Sequence, residues 1–200
     1  MAKIGIVYYS MYGATYELAR TIAEGIEKAG GEAHLRRVPD PLLPDEVKAA
    51  DGVREAIAAQ AEVPTADVDE LVEFDGIVLG SPTRYGSATS QLQAFLDTTG
   101  AHWQNGALVG KAAGFFTGAG TIHGGHETTI MSMATFAFHQ GMNIVPVGYG
   151  IAPEVMASRT GGGPYGPTQL GDGEGLSEDE RVIALSYGEH FARTAAKLAA

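Results

Sequence analysis

The sequence predicts an α/β protein built on an open, doubly wound parallel sheet of five strands with helices on both faces. Two observations lead there. Short runs rich in β-branched residues alternate with stretches of helical period along most of the chain, the pattern of parallel strands joined by crossover helices. The strand-like runs are also apolar almost throughout, as strands covered on both faces must be.

The first run, Lys3-Ile4-Gly5-Ile6-Val7-Tyr8-Tyr9, ends at Ser10. Downstream, Leu18, Ile22 and Ile26 recur every fourth residue beside Ala19 and Ala23, so one helical stripe faces the sheet until Gly30-Gly31 stops it. A second strand spans Glu32 to Val38 and is closed by Pro39, Pro41 and Pro44. Asp45 to Gln60 reads as a modest helix and Ala61 to Ala66 as a linker. Phe74 to Gly80 is the third strand, followed by a helix over Ser87 to Thr98 with Leu92, Phe95 and Leu96 on one side. Lys111 to Phe116 is the fourth strand, His126 to Gln140 a helix, and Asn143 to Val147 the fifth strand. Ser177 caps the last helix, with Glu180 at the capping-box position. Between Ile151 and Leu176 a Gly/Pro-rich loop of about two dozen residues has no periodicity, and loops that long in compact domains are functional or disordered.

With 200 residues and no break in composition, the whole chain 1–200 is expected to form one domain. No apolar run approaches the length of a membrane span, and the N-terminus enters a strand without the features of a signal peptide, so the cytoplasm is the expected compartment. The absence of cysteine excludes disulfides, thiolate catalysis and zinc-thiolate sites, leaving redox chemistry to a bound cofactor. A net charge of -11 with no basic stripe argues against nucleic acid as a partner.

In an open α/β sheet the ligand sits beyond the carboxyl ends of the strands, so the turns after strands one, three and four should line one crevice. Ser10-Met11-Tyr12-Gly13-Ala14-Thr15 sets two hydroxyl residues around a glycine at a helix N-terminus, where free N–H groups and a partial positive charge favour an anion. Alone, this turn reads equally as an N-cap with a turn glycine or as a phosphate cradle. Ser81-Pro82-Thr83-Arg84-Tyr85-Gly86 places an aromatic ring beside a cation and a hydroxyl on a proline-stiffened turn, which suits stacking of a planar heterocycle. Thr117-Gly118-Ala119-Gly120-Thr121 has the glycines that let backbone N–H groups approach a ligand.

Other motifs fail on inspection. The glycines after strand four are misplaced for a dinucleotide fingerprint, which belongs after the first strand. Gly106 to Lys111 is one residue short of a P-loop and is followed by Ala112, and there is no GxSxG nucleophile elbow. His123 and His126 flank a flexible Gly-Gly pair with no third ligand evident, so no metal site is expected. His139 reads first as a helix C-terminal histidine and Trp103 as a core residue, a stacking wall or an interface anchor.

Taken together, five ordered blocks resemble the WrbA-type NAD(P)H:quinone oxidoreductases, a flavodoxin-like family. They are Tyr8 to Gly13, Gly80 to Gly86, Phe95-Leu96-Asp97 with Thr99-Gly100 and Trp103, Gly141 to Tyr149, and Gly161 to Gly166. The resemblance implies strand order 2-1-3-4-5 and FMN as cofactor. It places Ser10 to Thr15 at the phosphate, and Thr83, Arg84, Tyr85 and Thr117 to Thr121 around the isoalloxazine. His139 would lie near the ring, as a candidate for proton transfer. Tyr12 matches a position that meets the nicotinamide nucleotide, and Trp103 one that walls the quinone. Family members assemble as homotetramers, so the long loop is expected to reach toward a neighbouring subunit. The implied reaction is ping-pong, two-electron reduction of quinones by NADH or NADPH. A one-electron flavodoxin-type carrier and a protein-binding regulator are the alternatives.

Overall fold

A computed structural model describes residues 1–41, 43–171 and 173–200. β1 (Lys3–Tyr8), β2 (Glu32–Arg37), β3 (Gly76–Pro82), β4 (Ala112–Ala119) and β5 (Asn143–Ile144) lie in the order β2-β1-β3-β4-β5, as expected, and every pairing is parallel. A further strand, β6 (Thr168–Leu170), pairs with β4 from within the segment expected to be an unstructured loop. The helices are α1 (Ala14–Lys28), α2 (Asp45–Lys48), α3 (Val53–Ala59), α4 (Ser90–Asp97), α5 (Gly100–Gln104), α6 (His126–His139), α7 (Glu154–Ala157) and α8 (Glu178–Leu198).

Period-two alternation divides β1 between two cores. Ile4, Ile6 and Tyr8 point into one, with Leu18, Ile22 and Ile26 of α1 and Ile183, Tyr187 and Phe191 of α8. Val7 points into the other, with Leu92 and Phe95 of α4 and Ile130 and Met133 of α6. Each fully buried aliphatic side chain of this kind contributes about 2 kcal/mol from removal of apolar surface from water. α1 and α8 pack at unusually short range. A Cβ on Gly25 would lie 2.2 Å from the Leu185 carbonyl oxygen, and one on Gly188 would lie 2.2 Å from that of Ile22.

The differences from the sequence expectations have local causes. The expected helix 45–60 is two short pieces, because the chain turns at Gly52, which caps α3. β5 stops after two residues rather than reaching Val147. A 3-10 turn at Asp69–Glu73 and the short α5 fill connections that carry no clear period. Edge strand β2 is fastened by a bidentate pair in which Arg36 donates to both carboxylate oxygens of Glu70. No helix among the described residues is long and apolar enough to cross a membrane.

Gly188→Val should lower the urea midpoint without changing the slope, for a loss of about 3 kcal/mol typical of overpacked contacts. An unchanged midpoint would mean that the two helices separate freely.

Candidate functional site

The turn after β1 forms because Tyr9 N–H still bonds to Gly80 O (3.0 Å) while Gly13, at φ 93°, swings the chain into α1. A side chain has room there, the nearest atom to a Cβ being 3.7 Å away, so glycine is required by conformation and not by space. Ser10 Oγ accepts from Tyr16 N–H at 3.2 Å, which closes the turn from within. The N–H groups of residues 11 to 15 have no acceptor among the described residues. They leave five donors at the positive end of a helix of 15 residues.

This turn opens on a cleft of about 240 Å³. Ser10, Met11, Tyr12, Ala14 and Thr15 line it from β1–α1, Thr83 and Arg84 from the turn after β3, Gly118 and Ala119 from the end of β4, which runs three residues past the expected Phe116, and Gly120 from just beyond it. Ten of the predicted site residues therefore meet in one place. Pro82 and Gly171 complete the lining, and no acidic side chain among the described residues contributes to it. Arg84 Nη1 donates to Thr83 O at 2.9 Å and Nη2 faces Met11 Sδ at 3.8 Å, so the cation spans two turns without a carboxylate partner among the described residues.

Two predicted residues use their hydroxyls on the scaffold. Thr117, fully buried, donates to Ser81 O at 2.6 Å across β3 and β4. Thr83 Oγ1 accepts from Gly86 N–H at 3.1 Å, donates to Gly124 O at 3.3 Å and lies 2.8 Å from Thr129 Oγ1. That cluster fixes the turn after β3 to the loop after β4. Tyr85 stands fully in solvent at φ 53°, the single left-handed residue other than glycine among those described. Holding an aromatic residue there is strained, a feature that concentrates at ligand sites. Thr121 is exposed in the turn closed by Gly124 N–H on its carbonyl (2.9 Å).

His139 and Trp103 do not reach this cleft within the chain. α6 starts near the carboxyl end of β4 and runs back for 14 residues, about 21 Å at 1.5 Å per residue, so His139 lies at the opposite end of the strands, the foot of the sheet. There it borders a surface depression with Gln93, Asp97 and Thr135. Trp103, on α5, is at that same foot of the sheet, exposed. Among the described residues no group of three His, Asp or Glu side chains is placed to hold a metal ion.

Gly171 is the contribution that sequence reasoning missed. The loop 151–176, expected to reach toward a neighbour, folds back onto its own chain through β6, and Gly171 N–H bonds to Ala119 O at 2.8 Å. Asp172, in the same loop, lies outside the described residues. Glu180 holds the loop. Only 1% exposed, its Oε1 accepts from Gly161 and Leu170 N–H (both 2.7 Å) and its Oε2 from Ser177 N–H (2.8 Å). The capping box was legible at this position, but the two bonds to the loop were not. His126 adds a second tie, donating from Nε2 to Gln169 O at 3.2 Å.

A turn of free N–H groups at a helix start, beyond the switch point of a 2-1-3-4-5 sheet, belongs to a flavodoxin-like architecture. Residues 3–156 match the NADPH-dependent FMN reductase family, and the chain belongs to it. It is 46% identical over 198 residues to an "NAD(P)H dehydrogenase (quinone)" of Geobacter sulfurreducens, covering 96% of this chain and 97% of that protein. A protein of the same description from Trichlorobacter lovleyi is 44% identical, covering both chains completely. Among solved structures, a flavodoxin, WrbA-like protein from Agrobacterium tumefaciens superposes with TM-score 0.68 at 22% identity, covering 98% of this chain and 99% of that one. A flavodoxin from the domain Archaea gives TM-score 0.64 at 18% identity, with 97% and 99% covered. These two likenesses confirm the fold.

Glu180→Ala should strip three main-chain donors of their acceptor, each worth about 1–3 kcal/mol when buried. Amide exchange at Gly161 and Leu170 should accelerate well beyond that in α1. Equal protection in both proteins would show that the loop is held without the carboxylate.

Proposed function

We propose that this protein is an FMN-dependent NAD(P)H:quinone oxidoreductase, reducing quinones by two electrons to hydroquinones. The observation that carries it is the first turn: among the described residues, five main-chain donors have no internal acceptor and no carboxylate opposes an anion, with Gly13 in the left-handed region and Arg84 across the cleft. That donor set fits a phosphate dianion. Homologues of the same length described as NAD(P)H dehydrogenase (quinone) support the choice of reaction.

FMN, when bound, would supply the hydride and two-electron chemistry that links NAD(P)H to the quinone. Residues 11 to 15 would hold its phosphate. The turns at Thr83 to Tyr85 and Gly118 to Thr121 would flank the ring, their spacing fixed by the Thr83–Thr129 cluster and by Thr117. Main-chain N–H groups of Gly120 and Thr121, just beyond β4, would stabilise negative charge on the ring's edge, as an oxyanion site does. Exposed Tyr12 and Tyr85 offer flat surfaces to the incoming nucleotide and quinone, which use the same opening in turn and so give ping-pong kinetics.

The placement of His139 and Trp103 bears on assembly. Both are exposed at the foot of the sheet, beside exposed Phe138 and Val109. They can approach a flavin only as residues of a neighbouring copy, which supports a homotetramer whose sites are completed across subunits. In that arrangement Trp103 walls the quinone and His139 donates a hydrogen bond or proton. The chain, free of cysteine, then works in the cytoplasm, where nicotinamide nucleotides are supplied.

Loaded with FMN, the protein should be yellow and should bleach rapidly with anaerobic NAD(P)H, then recover colour on addition of benzoquinone. Gly13→Val should raise the FMN Kd at least about tenfold, the penalty for forcing a branched residue left-handed. A protein that takes up no FMN would sink the proposal, and slow bleaching beside fast one-electron exchange would make it a carrier. On gel filtration the FMN-loaded protein should elute as a tetramer, and His139→Ala should slow at least one half-reaction. A stable FMN-loaded monomer would exclude the shared site.

A further inference from the structure

A second cleft, of about 190 Å³, adjoins the first, and Ser10 and Met11 line both, so only the first turn separates them. It lies between the carboxyl end of β2 and the α2–α3 pair. We propose that this cleft seats the adenosine-phosphate end of the nicotinamide nucleotide, whose reactive end enters the first cleft. The inference rests on the function proposed above.

The chemistry of the lining selects this ligand. Val38, Val53 and Ile57 form aliphatic walls suited to the faces of a purine. Gln60 is only 4% exposed, and its Nε2 donates to Ala56 O (2.8 Å) and to Ser10 O (3.4 Å). Its Oε1 has no hydrogen-bond partner among the described residues. An amide oxygen held rigidly in an apolar slot is matched by the exocyclic amine of adenine.

Three charged groups face the cleft. Arg37 spends Nε on Val63 O at 3.1 Å and has no carboxylate partner among the described residues. Lys48 pairs with Asp45 at 2.8 Å on the surface, a contact weak enough to exchange for a phosphate. Asp40 Oδ2 accepts from Tyr9 OH (2.6 Å) and from Gln91 Nε2 (3.0 Å), which leaves Oδ1 for a ribose hydroxyl. Burial and this carboxylate push the Tyr9 phenol well above its ordinary pKa, so it remains the donor.

Tyr12 connects the two clefts. It lines the first, and a Cβ on Gly52, at the start of α3, would lie 3.8 Å from its ring. A dinucleotide reaching from one cleft into the other passes over this exposed ring.

The test uses the FMN-loaded protein and two probes, AMP and 2′-AMP, titrated by calorimetry and as inhibitors against NAD(P)H. Ile57 is 43% exposed, so Ile57→Trp can fill the slot without disturbing the core. We expect either probe to bind wild type and compete with NAD(P)H. In Ile57→Trp, probe binding should disappear and the KM for NAD(P)H should rise at least tenfold. FMN affinity and quinone reduction by dithionite-reduced protein should not change. Probes that fail to bind wild type, or a variant with unaltered KM, would overturn the inference while leaving the proposed function intact. Wild type that never bleaches with either nucleotide would fail at that earlier proposal instead.

Discussion

β4 is eight residues long and buried along its entire length, yet β5 pairs with only its first two residues. Buried backbone donors and acceptors must find partners. The remaining edge, Thr117 to Ala119, therefore needs another strand, and the chain supplies it by returning from α7 to lay β6 alongside. Much of the site geometry follows from that obligation. The returning segment brings Gly171 to the cleft, and Glu180 holds it there with a carboxylate that would be expensive to bury without its three donors. A segment that looks like a spare loop is thereby a wall of the site.

The same economy governs the turns. Ser10, Thr83 and Thr117 are three of the hydroxyl residues that a reading of the sequence assigns to the ligand, but in the folded chain their side chains hold turns together. What these turns then present to a ligand, beside the Arg84 cation, is largely main chain, oriented by those side chains. Donors fixed in this way need little reorganisation when a charge arrives, and they do not change protonation with pH.

The strands and the four large helices were legible because their apolar residues recur at two- or four-residue spacing, as in Ile4-Ile6-Tyr8 and Leu18-Ile22-Ile26. The crevice was legible because topology fixes where turns after β1, β3 and β4 must meet. Short elements were not. Three residues, Thr168-Gln169-Leu170, carry no period, and their pairing depends on an edge left open some fifty residues earlier by the early end of β5. Helix 45–60 failed for a related reason, since its apolar residues suit either one helix or two and a backbone turn at Gly52 decided. The family resemblance named His139 and Trp103 as site residues, but the fold puts both at the foot of the sheet, away from the cleft that the turns after β1 and β3 and the end of β4 form.

A chain of net charge -11 repels anions at a distance, whereas the proposed cofactor and reductant are both anionic. Screening limits that repulsion to about 8 Å at physiological ionic strength, so what matters is the charge lining each cleft. In the first, the described lining has Arg84 and the start of α1 and no carboxylate. In the second, Arg37 and Lys48 outnumber Asp40, whose Oδ2 already accepts from Tyr9 and Gln91. The acidic residues that set the total lie elsewhere, several of them in surface pairs such as Arg181–Glu24 and Arg193–Glu189. Anion binding by an acidic protein thus requires no basic patch, only a few fixed donors placed where cations outnumber carboxylates.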